Sequence, residues 1–79
     1  MRLDKFLKEA RIIKRRTIAQ QLAKNGKIIR NNIALKPASE IRSGDELELF
    51  LRGRFLKIKV LSEKEYEVIE EKKIWEDEI

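Results

Sequence analysis

Four consecutive residues, Lys14-Arg15-Arg16-Thr17, put three cations where a new helical stripe begins. Cations at a helix N-terminus oppose the macrodipole by about 0.3–1 kcal/mol each when exposed. Selection for stability alone favours Asp, Ser or Glu at such a place. The arrangement makes sense if an anion completes it, because free backbone N–H groups and guanidinium forks together hold phosphate. At i+4 steps Arg16, Gln20 and Lys24 form one polar row that can follow a sugar-phosphate backbone. Gln20 is able to hydrogen-bond phosphate, ribose or a base edge. Arg2, Lys5, Lys8 and Arg11 widen the basic area from the preceding helix, and Lys27, Arg30 and Lys36 from the segments that follow. Taken singly, Lys5, Lys8 and Lys24 are equally well explained as ordinary solvated lysines. The cluster at 14–16 is not, since its placement works against the local dipole.

Catalysis finds little support. There is no histidine and no cysteine, which removes the commonest general base and the thiolate metal ligands. Ser39, Ser43 and Ser62 have no imidazole to activate them, and Gly26, Gly44 and Gly53 are isolated rather than part of a phosphate loop. Glu46 and Glu48 fall on one face of a strand, where solvated carboxylates are the ordinary explanation. A non-enzymatic protein is expected, with no cofactor and no metal.

The elements that must position the basic residues follow from periodicity. Leu3, Phe6, Leu7 and Ala10 lie at i, i+3, i+4 and i+7, one helical face, with Asp4 in the first turn and Asp4/Lys8 spaced as an i,i+4 ion pair. Ile12 and Ile13 fall near a break. A second stripe, Ile18, Ala19, Leu22 and Ala23, stops at Asn25-Gly26, a good C-terminal signal. From Lys27 the period shortens to β-like runs, with a tight turn at Asn31-Asn32 and further turns at Arg42–Asp45 and Arg52-Gly53. Leu47, Leu49 and Leu51, then Leu56, Ile58 and Val60, alternate with exposed positions as a hairpin does. Tyr66-Glu67-Val68 is a candidate last strand, and the remainder is expected as helix or frayed end. Trp75 is expected to cover an apolar edge of the sheet. Helices followed by strands predict an α+β domain, the helix pair packed on one side of a small sheet.

Seventy-nine residues make one small domain. Residues 1–36 carry eleven Lys/Arg against two acids, a charge of +9, while residues 37–79 carry eight against twelve, a charge of −4. Such a chain presents one positive face to a polyanion and turns the other away. No apolar run approaches the roughly 20 residues of a membrane helix, and no signal-peptide core follows the N-terminus, so a cytoplasmic protein without membrane association is expected. The second helix is short and no apolar stripe is left for dimerisation, so a monomer is expected. The same features favour RNA over a DNA-binding helix-turn-helix regulator. Phe6, Phe50 and Phe55 read as core or sheet residues, leaving no cluster for stacking single strands, so a folded RNA fits best. A protein-interaction adaptor acting through the acidic tail is the third reading.

Arg2-Leu3-Asp4-Lys5-Phe6-Leu7, Lys14-Arg15-Arg16-Thr17, Asn25-Gly26-Lys27-Ile28, Lys36-Pro37-Ala38-Ser39 and Ser43-Gly44-Asp45-Glu46-Leu47 together resemble the S4 RNA-binding domain family over about residues 1–50. The resemblance implies the αL motif, two helices against a small curled, mostly antiparallel sheet, within a domain over 1–61 followed by an acidic segment over 62–79. It also implies that Arg2, Lys5, Arg15, Arg16, Thr17, Lys27 and Lys36 face RNA. Where that family often has Asn-Gly after its first strand, this chain has Asn31-Asn32. Starting at methionine, the chain is expected to carry nothing appended to the domain, and so resembles the small stand-alone S4 proteins. Its acidic end is unlike the basic extension of the heat-shock type and more similar to the RqcP family of ribosome-associated quality control. That resemblance implies partners: large-subunit rRNA, peptidyl-tRNA on an obstructed subunit, and a factor that adds C-terminal tails to the stalled nascent chain. The alternative is a general binder of structured RNA with no ribosomal role.

Overall fold

The computed structural model describes residues 1–74, and within them each apolar stripe becomes one element. The first is helix α1 (Leu3–Glu9), which buries Leu3, Phe6 and Leu7. It ends in a Schellman turn, with the Ile12 amide donating to the Leu7 carbonyl and the Arg11 amide to that of Lys8. The left-handed position of this turn is held by Arg11 at φ +61°, where glycine is usual. Helix α2 (Arg16–Lys24) ends in the same way, with Gly26 at φ +73° and the Lys27 amide donating to the Leu22 carbonyl. Asn25-Gly26 therefore stops the helix as the sequence predicts.

Five strands follow: β1 (Ile28–Arg30), β2 (Ile33–Ala34), β3 (Glu46–Leu51), β4 (Arg54–Val60) and β5 (Tyr66–Lys73). They form one antiparallel sheet in the order β2-β1-β3-β4-β5. Arg30 pairs with Ile33 across a two-residue loop in which Asn31 and Asn32 both have positive φ, +53° and +65°, the type I′ geometry that matches strand twist. Leu51 pairs with Arg54 across Arg52-Gly53. The inward residues Ile28, Leu47, Leu49, Leu56, Ile58 and Val60 join the α1 stripe, Ala19, Ala23, Leu35 and Ile41 in one core. Each fully buried Leu, Ile or Phe contributes about 1.5–3 kcal/mol relative to exposure. The architecture is the α+β arrangement that the element order predicts.

Some local expectations change. Asp4 forms no ion pair with Lys8; it is buried and turns to residues of α2 instead. Ile18 of the second stripe is 43% exposed, leaving α2 anchored chiefly by two alanines. Phe6 is core, whereas Phe50 and Phe55 pack on each other on the outer face, their rings 5.1 Å apart. The last strand runs to Lys73 rather than stopping at Val68, so residues 69–73 are strand and not helix. The expectation for Trp75 lies outside the described residues.

Candidate nucleic-acid interface

The bend between the helices is built as the sequence implies. Arg15 is the N-cap of α2 with extended backbone, no side chain caps that end, and no acid sits in its first turn. Lys14, Arg15 and Thr17 are exposed, as are Lys5 and Lys8 of α1, Arg11 at its end, Lys24 at the end of α2, Lys27, and Lys36 after β2. None of these nine side chains is hydrogen-bonded or ion-paired among the described residues. Lys24 and Lys36 flank a cavity of about 480 Å³ floored by Ala23, Ala34, Leu35 and Pro37. Arg2 and Lys5 line a cleft of about 810 Å³ whose far side is Ser62, Glu63 and Lys64.

The remaining four candidates are tied to acids. Arg30 Nη1 donates to Asp45 at 2.8 Å and to the Glu40 carbonyl at 2.8 Å, pinning the turn before β3 to β1. The other three converge on Asp4. Arg2 Nε and Nη2 donate to its two carboxylate oxygens at 3.1 and 3.0 Å. Arg16 Nη2 reaches Oδ1 at 3.3 Å, Gln20 Nε2 reaches Oδ2 at 2.9 Å, and the Lys5 amide adds a fifth bond at 2.8 Å. Asp4 itself is fully buried, while the side chains of Arg2 and Arg16 are 51% and 41% exposed. Burial alone pushes the Asp4 carboxyl up. The hydrogen bonds from Gln20, Arg2, Arg16 and the Lys5 amide outweigh it and hold the group far below the usual carboxylate range.

Sequence reasoning gave Asp4 an ion pair with Lys8 and missed it as the fastening between the helices. The signal was there: Asp4 precedes Leu7 by three residues, which places a carboxylate at the margin of the apolar face. Asp4 also holds the row Arg16–Gln20–Lys24 to α1 at two of its three members, leaving Lys24 free among the described residues. What results is a surface of unpaired cations along both helices and their bend, around two arginines set by a buried acid. Such a surface suits a phosphate backbone.

The S4 domain family model matches residues 1–47. The chain is 38% identical over 87 aligned positions to the RQC P-site tRNA stabilizing factor of Streptococcus pneumoniae, covering 98% of this chain and 99% of the relative. It is 43% identical over 60 positions to the protein of that name in Bacillus subtilis, covering 76% of this chain and 70% of the relative. Among solved structures, the trimeric structure of Vibrio cholerae Heat Shock Protein 15 superimposes with a TM-score of 0.75 at 25% identity, covering 86% of this chain and 80% of the other. The family match over residues 1–47 takes in both helices and the first two strands, and the chain belongs to the S4 domain family.

Proposed function

We propose that this protein is a non-enzymatic RNA-binding factor of ribosome-associated quality control. It binds large-subunit rRNA and peptidyl-tRNA on obstructed subunits and supports C-terminal tailing of the stalled nascent chain, alongside the factor that adds the tail. It acts as a monomer in the cytoplasm. One observation carries the RNA-binding part: nine exposed cationic or polar candidates along α1, the bend, α2 and its flanks have no acidic partner among the described residues. The ribosomal part is supported by the relatives named for stabilising P-site tRNA, one of them aligned along nearly the whole chain. No helix among the described residues is long and apolar enough to cross a membrane.

The test is sedimentation of tagged protein from lysate through a sucrose gradient, beside a Lys14→Glu/Arg15→Glu variant. These two positions are chosen because Arg16 holds Asp4, and reversing its charge would set two carboxylates against each other. Wild type migrating with large subunits and the variant staying at the top is the expected result. Both proteins staying at the top would remove the ribosome from the reading.

A further inference from the structure

We propose that Asp4 is a positioning residue of the RNA interface: it sets Arg2, just before α1, and Arg16 of α2 as one preformed seat for a single backbone phosphate, and so contributes discrimination rather than attraction. The proposal rests on the RNA-binding reading above and adds to it a residue of the opposite charge.

A carboxylate is out of place on a surface that must attract a polyanion, since it lowers the local charge of the Arg2–Arg16 pair from +2 to +1. The hub also fastens the helices, but fastening alone does not require a charge, because well-packed apolar residues often replace buried ion pairs with no loss. The geometry gives a better reason. Both oxygens of one buried carboxylate are occupied, Oδ1 by Arg2 Nε, Arg16 Nη2 and the Lys5 amide and Oδ2 by Arg2 Nη2 and Gln20 Nε2, across two helices that share few large buried contacts. The two guanidinium groups are thereby brought to one point of the surface and kept half exposed.

Their unused donors face a need. Arg2 Nη1, Arg16 Nη1 and the buried Arg16 Nε have no acceptor among the described residues. A phosphate, with several oxygens, serves the open Nη1 donors of both arginines at once. Arginine loses considerable rotamer freedom when it is fixed, and here Asp4 fixes both before RNA arrives. A seat of set geometry accepts a phosphate placed by a folded RNA and gains little from one placed elsewhere.

The experiment is filter binding of wild type, Asp4→Asn, Arg2→Ala/Arg16→Ala and the triple variant. The probes are purified large ribosomal subunits carrying P-site tRNA and a 20-base-pair RNA duplex of random sequence. Asp4→Asn is expected to weaken binding to subunits about tenfold and to leave duplex binding unchanged or slightly tighter, because net charge rises. In the Arg2→Ala/Arg16→Ala background the same substitution is expected to change subunit binding less than about twofold. Equal losses on both RNAs, or an undiminished loss in the double-alanine background, would show that Asp4 acts only through the fold and overturn the proposal. Should circular dichroism show Asp4→Asn unfolded, Gln20→Met replaces it. That variant removes one donor to the carboxylate without touching an arginine, and about a threefold loss on subunits alone is expected; no loss overturns the proposal. Wild type binding subunits no better than duplex would defeat the functional reading itself, and this proposal with it. Loss of discrimination only in the variants separates the two.

Discussion

Gln20 Nε2 of α2 lies 2.9 Å from Asp4 Oδ2 of α1, a hydrogen bond between residues sixteen apart in sequence. It matters because α2 has little else to hold it. Its buried side chains are Ala19 and Ala23, with Leu22 only half buried and Ile18 exposed. Two alanines bury far less apolar area than the Leu3–Phe6–Leu7 stripe of α1. The helix pair is therefore fastened by a charged hub as much as by its core.

Acid should loosen that hub. The Asp4 carboxyl has an ordinary value of 3.8 and is strongly lowered in the fold, so the unfolded chain takes up its proton first as pH falls. The stability it contributes is complete above about pH 5 and is lost progressively below about pH 4. Asp4→Asn should melt lower at pH 7, by about 1–3 kcal/mol, since Arg2 and Arg16 can turn to water once released. Its melting temperature should also fall less than that of wild type between pH 6 and pH 3. Thermal melts followed by circular dichroism across that range provide the check; parallel acid limbs would assign the stabilisation elsewhere.

Arg11 separates binding from stability. A non-glycine residue in the left-handed region carries a cost of about 1–2 kcal/mol, and glycine recovers part of it while adding freedom to the unfolded chain. Arg11→Gly should raise stability by about 0.5 kcal/mol and weaken RNA binding several-fold. Denaturant titration and filter binding of the same preparation should move in opposite directions.

The turn between β1 and β2 makes a purely conformational prediction. Asn31 and Asn32 both occupy positive φ. Asn32→Gly should stabilise the protein by about 0.5 kcal/mol and Asn32→Ala destabilise it by about 1 kcal/mol, because alanine lacks asparagine's tolerance of that region. Neither should alter RNA affinity, since the asparagines lie outside the basic set. Melts and binding measured together will show it.

Salt should report how many cations work at once. About six phosphate contacts give a slope of log affinity against log salt near −4 to −5. Removing Lys14 and Arg15 together, as alanines, should shallow that slope by about 1.5–2. A slope unchanged by the pair would place the contacts on other residues.

Much of this was legible in the sequence, and the part that was not has physical causes. The α1 stripe and the β3–β4 hairpin declare themselves through spacing alone, since local period and burial agree at Leu3, Phe6, Leu7, Leu47, Leu49, Leu56 and Ile58. Arg16–Asp4, Gln20–Asp4 and Arg30–Asp45 escaped, because each joins residues twelve to sixteen apart that only the chain's turns bring together. The length of β5 escaped for another reason. Ile58 pairs with Val68 but Lys57 with Glu70, so the intervening Ile69 is an extra residue that breaks the two-residue alternation. The thirteen basic and polar candidates were chosen by type and place. The fold divides them into nine free side chains and four that anchor, a distinction that composition does not carry.

That same irregularity in β5 bears on how the protein behaves when concentrated. Among the described residues the strand is the outer member of the sheet, eight residues long, with Val68 and Ile69 exposed. An even, apolar border of that length is a template for runaway stacking into fibres. Here the extra residue twists the border out of line, and Glu67, Glu70, Glu71, Lys72 and Lys73 crowd it with charge. Among the described residues, irregularity and charge thus guard that side of the sheet against the addition of a further strand.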